Sequence, residues 1–255
     1  MKTKKYIKIL FCAAVSLLFC LPAEAQQVKP EFYLGARGGI GGGTISTRRA
    51  KKAVFGFPEA GISVLYKGRI KYFDALQGEV NYAQSGFRWL AKAQSDSSYT
   101  RTINAVEIPV MWHPNITMFR ENFSIFLNAG PYISYAVSSH EYYKGNDLDD
   151  STWKNRDNKY EYNPGRDNRL GYGLLGGLGM SYLIGGRILI QAEARFKWEM
   201  NDIFKNSNHY ILPNQTENQI SQYRVSLGIY YRFGEKRVRE KRVKKIETEL
   251  IETEL

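Results

Sequence analysis

From Gln222 to Phe233 the chain alternates without a slip. Tyr223, Val225, Leu227, Ile229, Tyr231 and Phe233 are apolar or aromatic, and Arg224, Ser226, Gly228, Tyr230 and Arg232 lie between them. A two-residue period puts these sets on opposite faces of a β-strand. The apolar face carries aromatics at its ends and aliphatics in its middle, the profile of a strand that crosses a bilayer between two aromatic girdles. A strand of a soluble sandwich alternates in the same way, so this segment alone leaves both readings open.

Seven earlier segments repeat the pattern. The first, Phe32 to about Gly42, sets Phe32, Leu34, Ala36 and Ile40 against Tyr33, Gly35 and Arg37. About Phe57 to Tyr66, Ala60, Ile62, Val64 and Tyr66 oppose Glu59, Gly61 and Ser63. About Phe73 to Ala83, Leu76, Val80 and Tyr82 oppose Gln77, Glu79 and Asn81. About Thr102 to Trp112, Val106, Ile108, Val110 and Trp112 oppose Glu107. Pro109 cannot donate to a ladder, which predicts a bulge or local break there. About Phe123 to Val137, Ile125, Leu127, Ala129, Ile133, Tyr135 and Val137 oppose Asn128, Gly130, Tyr132 and Ser134. About Leu170 to Tyr182, large apolar residues oppose Gly171, Gly173, Gly177, Gly179 and Ser181. From Ile188 to Met200, Ile190, Ala192, Ala194, Phe196, Trp198 and Met200 oppose Gln191, Glu193, Arg195, Lys197 and Glu199.

The links between these strands alternate in length. Short ones fall near Lys67–Tyr72, His113–Asn122 and Leu183–Arg187, and longer polar ones separate the other neighbours. Outer-membrane barrels keep short turns on the periplasmic side and long loops outside. An even strand count with this asymmetry predicts an all-β fold, an eight-stranded antiparallel up-and-down transmembrane β-barrel. Its N- and C-termini would both be periplasmic.

The leading residues agree with that compartment. Lys2, Lys4, Lys5 and Lys8 precede an apolar run, Ile9 to Leu21, that is too short to span as a helix. Ala23-Glu24-Ala25 is a small-x-small cleavage site, so residues 1–25 read as a secretory signal peptide cut near Ala25. The barrel would then occupy 26–234, and 235–255 would form a charged low-complexity periplasmic tail. Both cysteines, Cys12 and Cys20, lie in the leader, which leaves the mature chain without a disulfide, thiolate metal site or cysteine nucleophile. The formal charge is +11; removing four lysines and Glu24 from the leader leaves 11 − 3 = +8. In an exported chain this balance points to anionic outer-membrane lipid and lipopolysaccharide rather than to nucleic acid. The 18 Tyr and 23 Gly suit a barrel with aromatic rims and closely approaching backbones.

Two resemblances sharpen the reading. Ser226-Leu-Gly228-Ile-Tyr-Tyr231-Arg-Phe233 is similar to the closing-strand signal of bacterial outer-membrane barrels, with Gly228, Tyr231 and Phe233 at its marked positions. That likeness implies delivery to the barrel assembly machinery. The order Phe32-Tyr-Leu-Gly-Ala-Arg-Gly-Gly, Leu76-Gln-Gly-Glu-Val-Asn-Tyr, Val106-Glu-Ile-Pro-Val and Asn128-Ala-Gly-Pro-Tyr resembles the PorT-type outer-membrane β-barrel family of Bacteroidetes-like bacteria. The resemblance runs from about Phe32 to Gly234 and implies an eight-stranded barrel, most members having no assigned activity. Its eponymous member belongs to a type nine secretion and gliding apparatus, which makes an accessory role there one option.

The chemistry-bearing residues divide by place. Arg37, Glu59, Glu79, Glu107, Glu193, Arg195, Lys197, Arg224 and Arg232 face inward, where a barrel of this size is filled by side chains. Buried charges must pair, so these residues predict a salt-bridged plug rather than an ion path. Gly171-Tyr-Gly173-Leu-Leu-Gly176 spells a dinucleotide fingerprint, but alternation runs straight through it where the motif needs a helix. Asp147-Leu-Asp149-Asp150-Ser151 lacks the Gly and Glu of a calcium loop, with Thr152 and Asn158 in their places. No cofactor and no metal are expected. Ser139-His140-Glu141 sits where a lipid-modifying barrel enzyme would keep its triad, yet three consecutive strand residues cannot converge. The longest link, His140 to Asn168, is rich in Asp, Asn, Tyr and Lys. Tyr142, Tyr143, Trp153, Tyr160 and Tyr162 make it the candidate surface for a protein or glycan partner, although a solvated loop would look similar. The expected function is therefore surface contact, envelope integrity or service to a larger envelope machine, without catalysis. The alternative class is a lipid-modifying enzyme.

Overall fold

A two-faced strand in a bilayer needs backbone partners along both edges, because lipid offers none. The chain meets this need by closing a ring. The structure is a computed structural model that describes residues 30–46, 51–68, 75–90, 97–118, 122–145, 156–205 and 219–234. The leader, Trp153, the Asp147–Ser151 run and the tail after Gly234 lie outside the described residues. Among the described residues the strands are β1 Glu31–Ile45, β2 Lys51–Lys52, β3 Val54–Lys67, β4 Ala75–Leu90, β5 Ser98–Trp112, β6 Asn115–Met118, β7 Phe123–Lys144, β8 Arg156–Lys159, β9 Leu170–Ile184, β10 Ile188–Glu199 and β11 Ile220–Phe233.

The order β1-β3-β4-β5-β7-β9-β10-β11 is antiparallel at each step. β11 returns to β1 in unbroken register, from Phe32↔Phe233 to Ile45↔Ile220. The eight-stranded up-and-down barrel is thereby formed. One end carries the short turns and the strand ends at Glu31 and Phe233, and is called the turn end below; the opposite rim is the loop end. At the turn end, Gly185 and Gly186 take positive φ (58° and 73°) to reverse the chain between β9 and β10.

The period-two pattern sorts the side chains as the sequence predicts. Leu34, Ile62, Val64, Val80, Leu127, Leu178, Val225, Leu227 and Ile229 are exposed on the outside. Phe32, Tyr66, Trp112, Tyr182, Tyr231 and Phe233 ring the turn end of this band, and Tyr135, Tyr172, Trp198 and Tyr223 ring the other side. This is the lipid-facing band with its two girdles. The inward face of β9 is glycine-rich because its neighbours are large: a Cβ at Gly179 would meet the Phe126 ring at 2.3 Å. The dinucleotide-like run is therefore continuous strand.

Several strands exceed their expected bounds. β4 continues to Leu90 rather than ending near Ala83, β5 starts at Ser98 rather than Thr102, and β7 runs on to Lys144 rather than Val137. A tilted strand needs only about 9–11 residues to cross a bilayer, so these extensions stand above the band at the loop end. β2 pairs with β4 and β8 with β7 to thicken that raised wall. β6, inside the expected short link His113–Asn122, pairs with the start of β7 after the break at His113 and Pro114.

Pro109 produces the local break but not a bulge. The β4–β5 ladder skips the pairs of Glu79 and Val80 and resumes in the same register. The bulge lies further on, where Asn104 pairs Ser138 and Ala105 pairs Ala136, leaving Val137 as the extra residue. One extra residue exchanges the two faces beyond it. Ser139, Glu141 and Tyr143 consequently turn inward and Tyr142 outward.

Candidate functional site: the lumen plug and the loop-end cavity

The lumen is filled in layers. At the turn end Tyr33, Leu65, Leu183, Leu189 and Tyr230 form an apolar cluster. Beside it Arg232 reaches Glu31 at 3.0 Å, and the Tyr33 hydroxyl also donates to Glu31. The nine predicted inward charges are all buried, none more than 9% exposed. Eight of them meet in the middle layers. Arg37 bridges Glu79, Glu59 and Glu193. Arg195 forks onto Glu79 at 2.6 and 2.7 Å and also holds Glu193. Lys197 pairs with Glu107, and Arg224 with Glu59 at 2.8 Å. Four bases, Arg37, Arg195, Lys197 and Arg224, thus face four acids, Glu59, Glu79, Glu107 and Glu193.

Neutral groups add hydrogen bonds to this network. Gln77 and Asn81 donate to Glu79 at 2.7 and 2.8 Å, and Asn128 to Glu193 at 2.8 Å. Asn128 also contacts His113 Nδ1 at 2.7 Å, and the imidazole stacks on Phe126. A charge-balanced, hydrogen-bonded plug is the low-cost way to keep ions in such an interior.

A second apolar layer caps the loop end: Ile45, Phe87, Trp89, Tyr99, Ile103, Ala136, Ile203 and Ile220, with Tyr143, Tyr162 and Phe204 packed against it. Arg101, fully buried, lies within this cap, between Tyr99 and Ile103 on the inward face of β5. Its guanidinium sits 3.6 Å from the Tyr160 ring centroid, with Tyr162 and Phe204 within 5.4 Å. Its Nε donates to Ser139 at 3.0 Å. The aromatic cage takes the place of a carboxylate.

Tyr160 also fixes the segment after β8. Its hydroxyl donates to Asp167 at 2.7 Å and accepts from Arg166 at 2.6 Å, and Asp167 forms a bridge with Phe204. Burial pushes the Tyr160 phenol up, and the hydrogen bond to Asp167 adds to that shift. Burial works against the Arg166 charge, but the hydrogen bonds to Asp167 and Tyr160 and the attraction of both groups together outweigh it and raise the guanidinium above its usual range.

Above the cap is a cavity of about 1130 Å³. Trp89, Tyr99, Tyr143, Tyr160, Tyr162 and Phe204 supply its aromatic wall. Glu141, Asn158, Lys159, Glu161, Asn163 and Arg166 supply its polar wall. Of the five expected contact residues, Tyr143, Tyr160 and Tyr162 line this cavity. Tyr142 points outward and is 42% exposed. Tyr160 is only 9% exposed, because it is a structural pin as well as a wall. Trp89, Tyr99 and Phe204 belong to the cavity and were not anticipated. Ser139 and His140 face opposite ways, one fully buried and one exposed, so the consecutive Ser-His-Glu run does not converge. Among the described residues no group of three or more His, Cys, Asp and Glu side chains could hold a metal ion.

Gly228, Tyr231 and Phe233, expected to mark the closing strand for assembly, have visible packing roles. Phe233 meets Phe32 across the closing seam at 5.9 Å between centroids, and Tyr231 edge-on at 5.3 Å. A Cβ at Gly228 would lie 2.7 Å from the Tyr230 ring, so this glycine makes room for an inward tyrosine.

A closed ring with an apolar outer band, aromatic girdles and a charged interior defines a membrane-spanning β-barrel. The family model "Outer membrane protein beta-barrel domain" matches residues 24–205, well over half of the chain. The chain belongs to that family, and its place is the bacterial outer membrane. Solved structures with a similar fold include Neisserial surface protein A, at 13% identity over 79% of this chain and 97% of that one (TM-score 0.41). OprG from Pseudomonas aeruginosa is similar at 11% identity over 83% and 99% (TM-score 0.40). Ail of Yersinia pestis, solved in complex with the heparin analogue sucrose octasulfate, is similar at 10% over 81% and 100% (TM-score 0.39). These likenesses concern the fold alone. No curated protein matches the chain.

Proposed function

We propose that this outer-membrane barrel is a non-enzymatic surface-contact protein that works through its loop end. The observation that carries the reading is the contrast between the two spaces. The lumen is packed with a charge-balanced plug, while an open, mixed aromatic and polar cavity stands on strand extensions beyond the lipid band. Under this proposal the loop end faces outward. The termini and short turns lie in the periplasm after removal of the leader near Ala25. Gly228, Tyr231 and Phe233 serve recognition by the barrel assembly machinery. Lipid and lipopolysaccharide surround the band. The quoted strand sequences support placing the chain in the PorT-type branch, where an accessory role in a larger envelope machine is one form of surface contact.

The mature chain lacks cysteine once the leader is cut, so topology can be read with single introduced thiols. Lys159→Cys should react with a membrane-impermeant maleimide on intact cells, and Arg187→Cys only after lysis. Labelling in the reverse order would overturn the assignment of the outer face. A lipid-modifying enzyme is the competing class. Its expected signature, altered lipid A mass in deletion cells, should be absent; a mass shift restored by the wild-type gene would replace the contact reading.

A further inference from the structure

We propose that the loop-end cavity is a binding site for a neutral oligosaccharide. This inference rests on the surface-contact reading above and names its ligand. About 1130 Å³ is at or beyond the upper range of small-molecule sites, roughly 300–1,000 Å³, which gives room for a short chain rather than one small molecule. Sugars present apolar C–H faces beside edges crowded with hydroxyls. The cavity has both kinds of surface: aromatic rings from β4, β5, β7, the segment after β8 and Phe204, alongside amides, carboxylates and cations from β7, β8 and that same segment.

Charge separates a neutral sugar from the competing ligands. The lining acids are Glu141 and Glu161, and the lining bases are Lys159 and Arg166, two against two. Arg166 is already engaged by Asp167, at 3.3 Å, and by the Tyr160 hydroxyl. An anionic glycan or phosphate-rich headgroup would find no surplus of positive charge, and Glu141 and Glu161 would repel it. A cationic peptide would find no surplus of negative charge. Asn158 and Asn163 offer both donor and acceptor atoms, which suits hydroxyl groups that do both.

The walls are also preorganised. Tyr143 rests on Tyr99 at 4.8 Å between centroids, and Trp89 on Tyr99 at 5.5 Å. Glu141 accepts from the Tyr99 hydroxyl at 3.3 Å. The backbone of β7 is paired on one side to β5 and on the other to β8. Binding then orders few new groups, which favours affinity.

The experiment uses the full mature protein, folded in detergent, with defined probes in isothermal titration calorimetry. The neutral probes are maltohexaose, cellohexaose, mannohexaose and chitohexaose, and the anionic probe is hexagalacturonate. At least one neutral hexasaccharide should bind, and Tyr143→Ala should weaken it by tenfold or more. Tyr143→Phe should retain binding, and Val225→Ala on the lipid face should leave it unchanged. Heat-modifiable gel mobility verifies that each variant is folded. Binding by hexagalacturonate alone, or by no neutral probe at millimolar concentration, overturns the proposal. So does neutral binding that survives Tyr143→Ala in a folded protein. Thiol labelling that places the loop end outside while every sugar fails would sink the ligand class and leave surface contact standing. Labelling that places it inside would sink the surface-contact reading itself.

Discussion

Glu79 is the hub of the lumen, and Glu79→Gln measures what the hub is worth. The carboxylate is fully enclosed and accepts five hydrogen bonds: from Arg37, twice from Arg195 at 2.6 and 2.7 Å, from Gln77 at 2.7 Å and from Asn81 at 2.8 Å. Glutamine keeps the volume but removes the charge and turns an acceptor into a donor that faces other donors. Breaking a buried ion pair by removing one partner costs about 3–5 kcal/mol. Arg37 retains Glu59 at 3.5 Å and Glu193 at 3.6 Å, and Arg195 retains Glu193, so the lower end applies. A loss of about 3 kcal/mol lowers the folding equilibrium by a little over a hundredfold. Urea unfolding in lipid vesicles, followed by tryptophan fluorescence and gel mobility, reads this as a lower midpoint at constant slope. Glu79→Gln with Arg195→Met leaves Arg37, Lys197 and Arg224 against Glu59, Glu107 and Glu193, again balanced. The double variant should therefore lose less than the sum of the singles, by about 1 kcal/mol or more. A Glu79→Gln cost below about 0.5 kcal/mol, or strict additivity in the double variant, would refute a plug held by charge pairing.

Three further outcomes follow from named contacts. Tyr160→Ala removes the ring stacked on Arg101, a desolvated cation–π contact worth about 2 kcal/mol. It should speed proteolysis around Glu161–Arg166 while the barrel still inserts. Gly228→Ala drives a Cβ into the Tyr230 ring and should cost about 1–3 kcal/mol in urea unfolding, relieved in part by Tyr230→Leu. Phe233→Ala breaks the aromatic contact at the closing seam and should lower the amount assembled in the membrane more than truncation after Gly234 does. Equal assembly of Phe233→Ala and wild type, with the truncation defective, would misplace the end of the barrel.

The ring was legible because alternation is strict wherever one face meets lipid, and a slip of one residue would turn charges outward. All nine inward charges follow from that parity. Their partner Glu31 escaped because it precedes the first expected strand residue by one position. The raised wall escaped for a different reason. Above the bilayer the outside no longer needs apolar residues, so alternation of hydrophobicity fades while the strand continues. A signal was present in β4: the inward parity Gln77, Glu79, Asn81, Ala83 carries on through Ser85, Phe87 and Trp89, changing from polar to aromatic at the cap. In β5, Tyr99 and Arg101 keep the parity of Ile103 and Glu107. The bulge at Val137 has no sequence signature of its own, yet it decides that Tyr143 rather than Tyr142 faces the cavity. The contacts of Tyr160 with Arg101, Arg166 and Asp167 are long-range or conformational and leave no periodic trace.

A lumen closed by paired charges should pass no ions, and planar-bilayer recording of the purified folded protein tests that most directly. Layers of side chains between the Tyr33–Tyr230 cluster and the Phe87–Trp89 cap predict a membrane that stays silent under sustained voltage. Stable, single-step conductance of the kind a porin gives, abolished when the protein is unfolded and absent from detergent blanks, would contradict it.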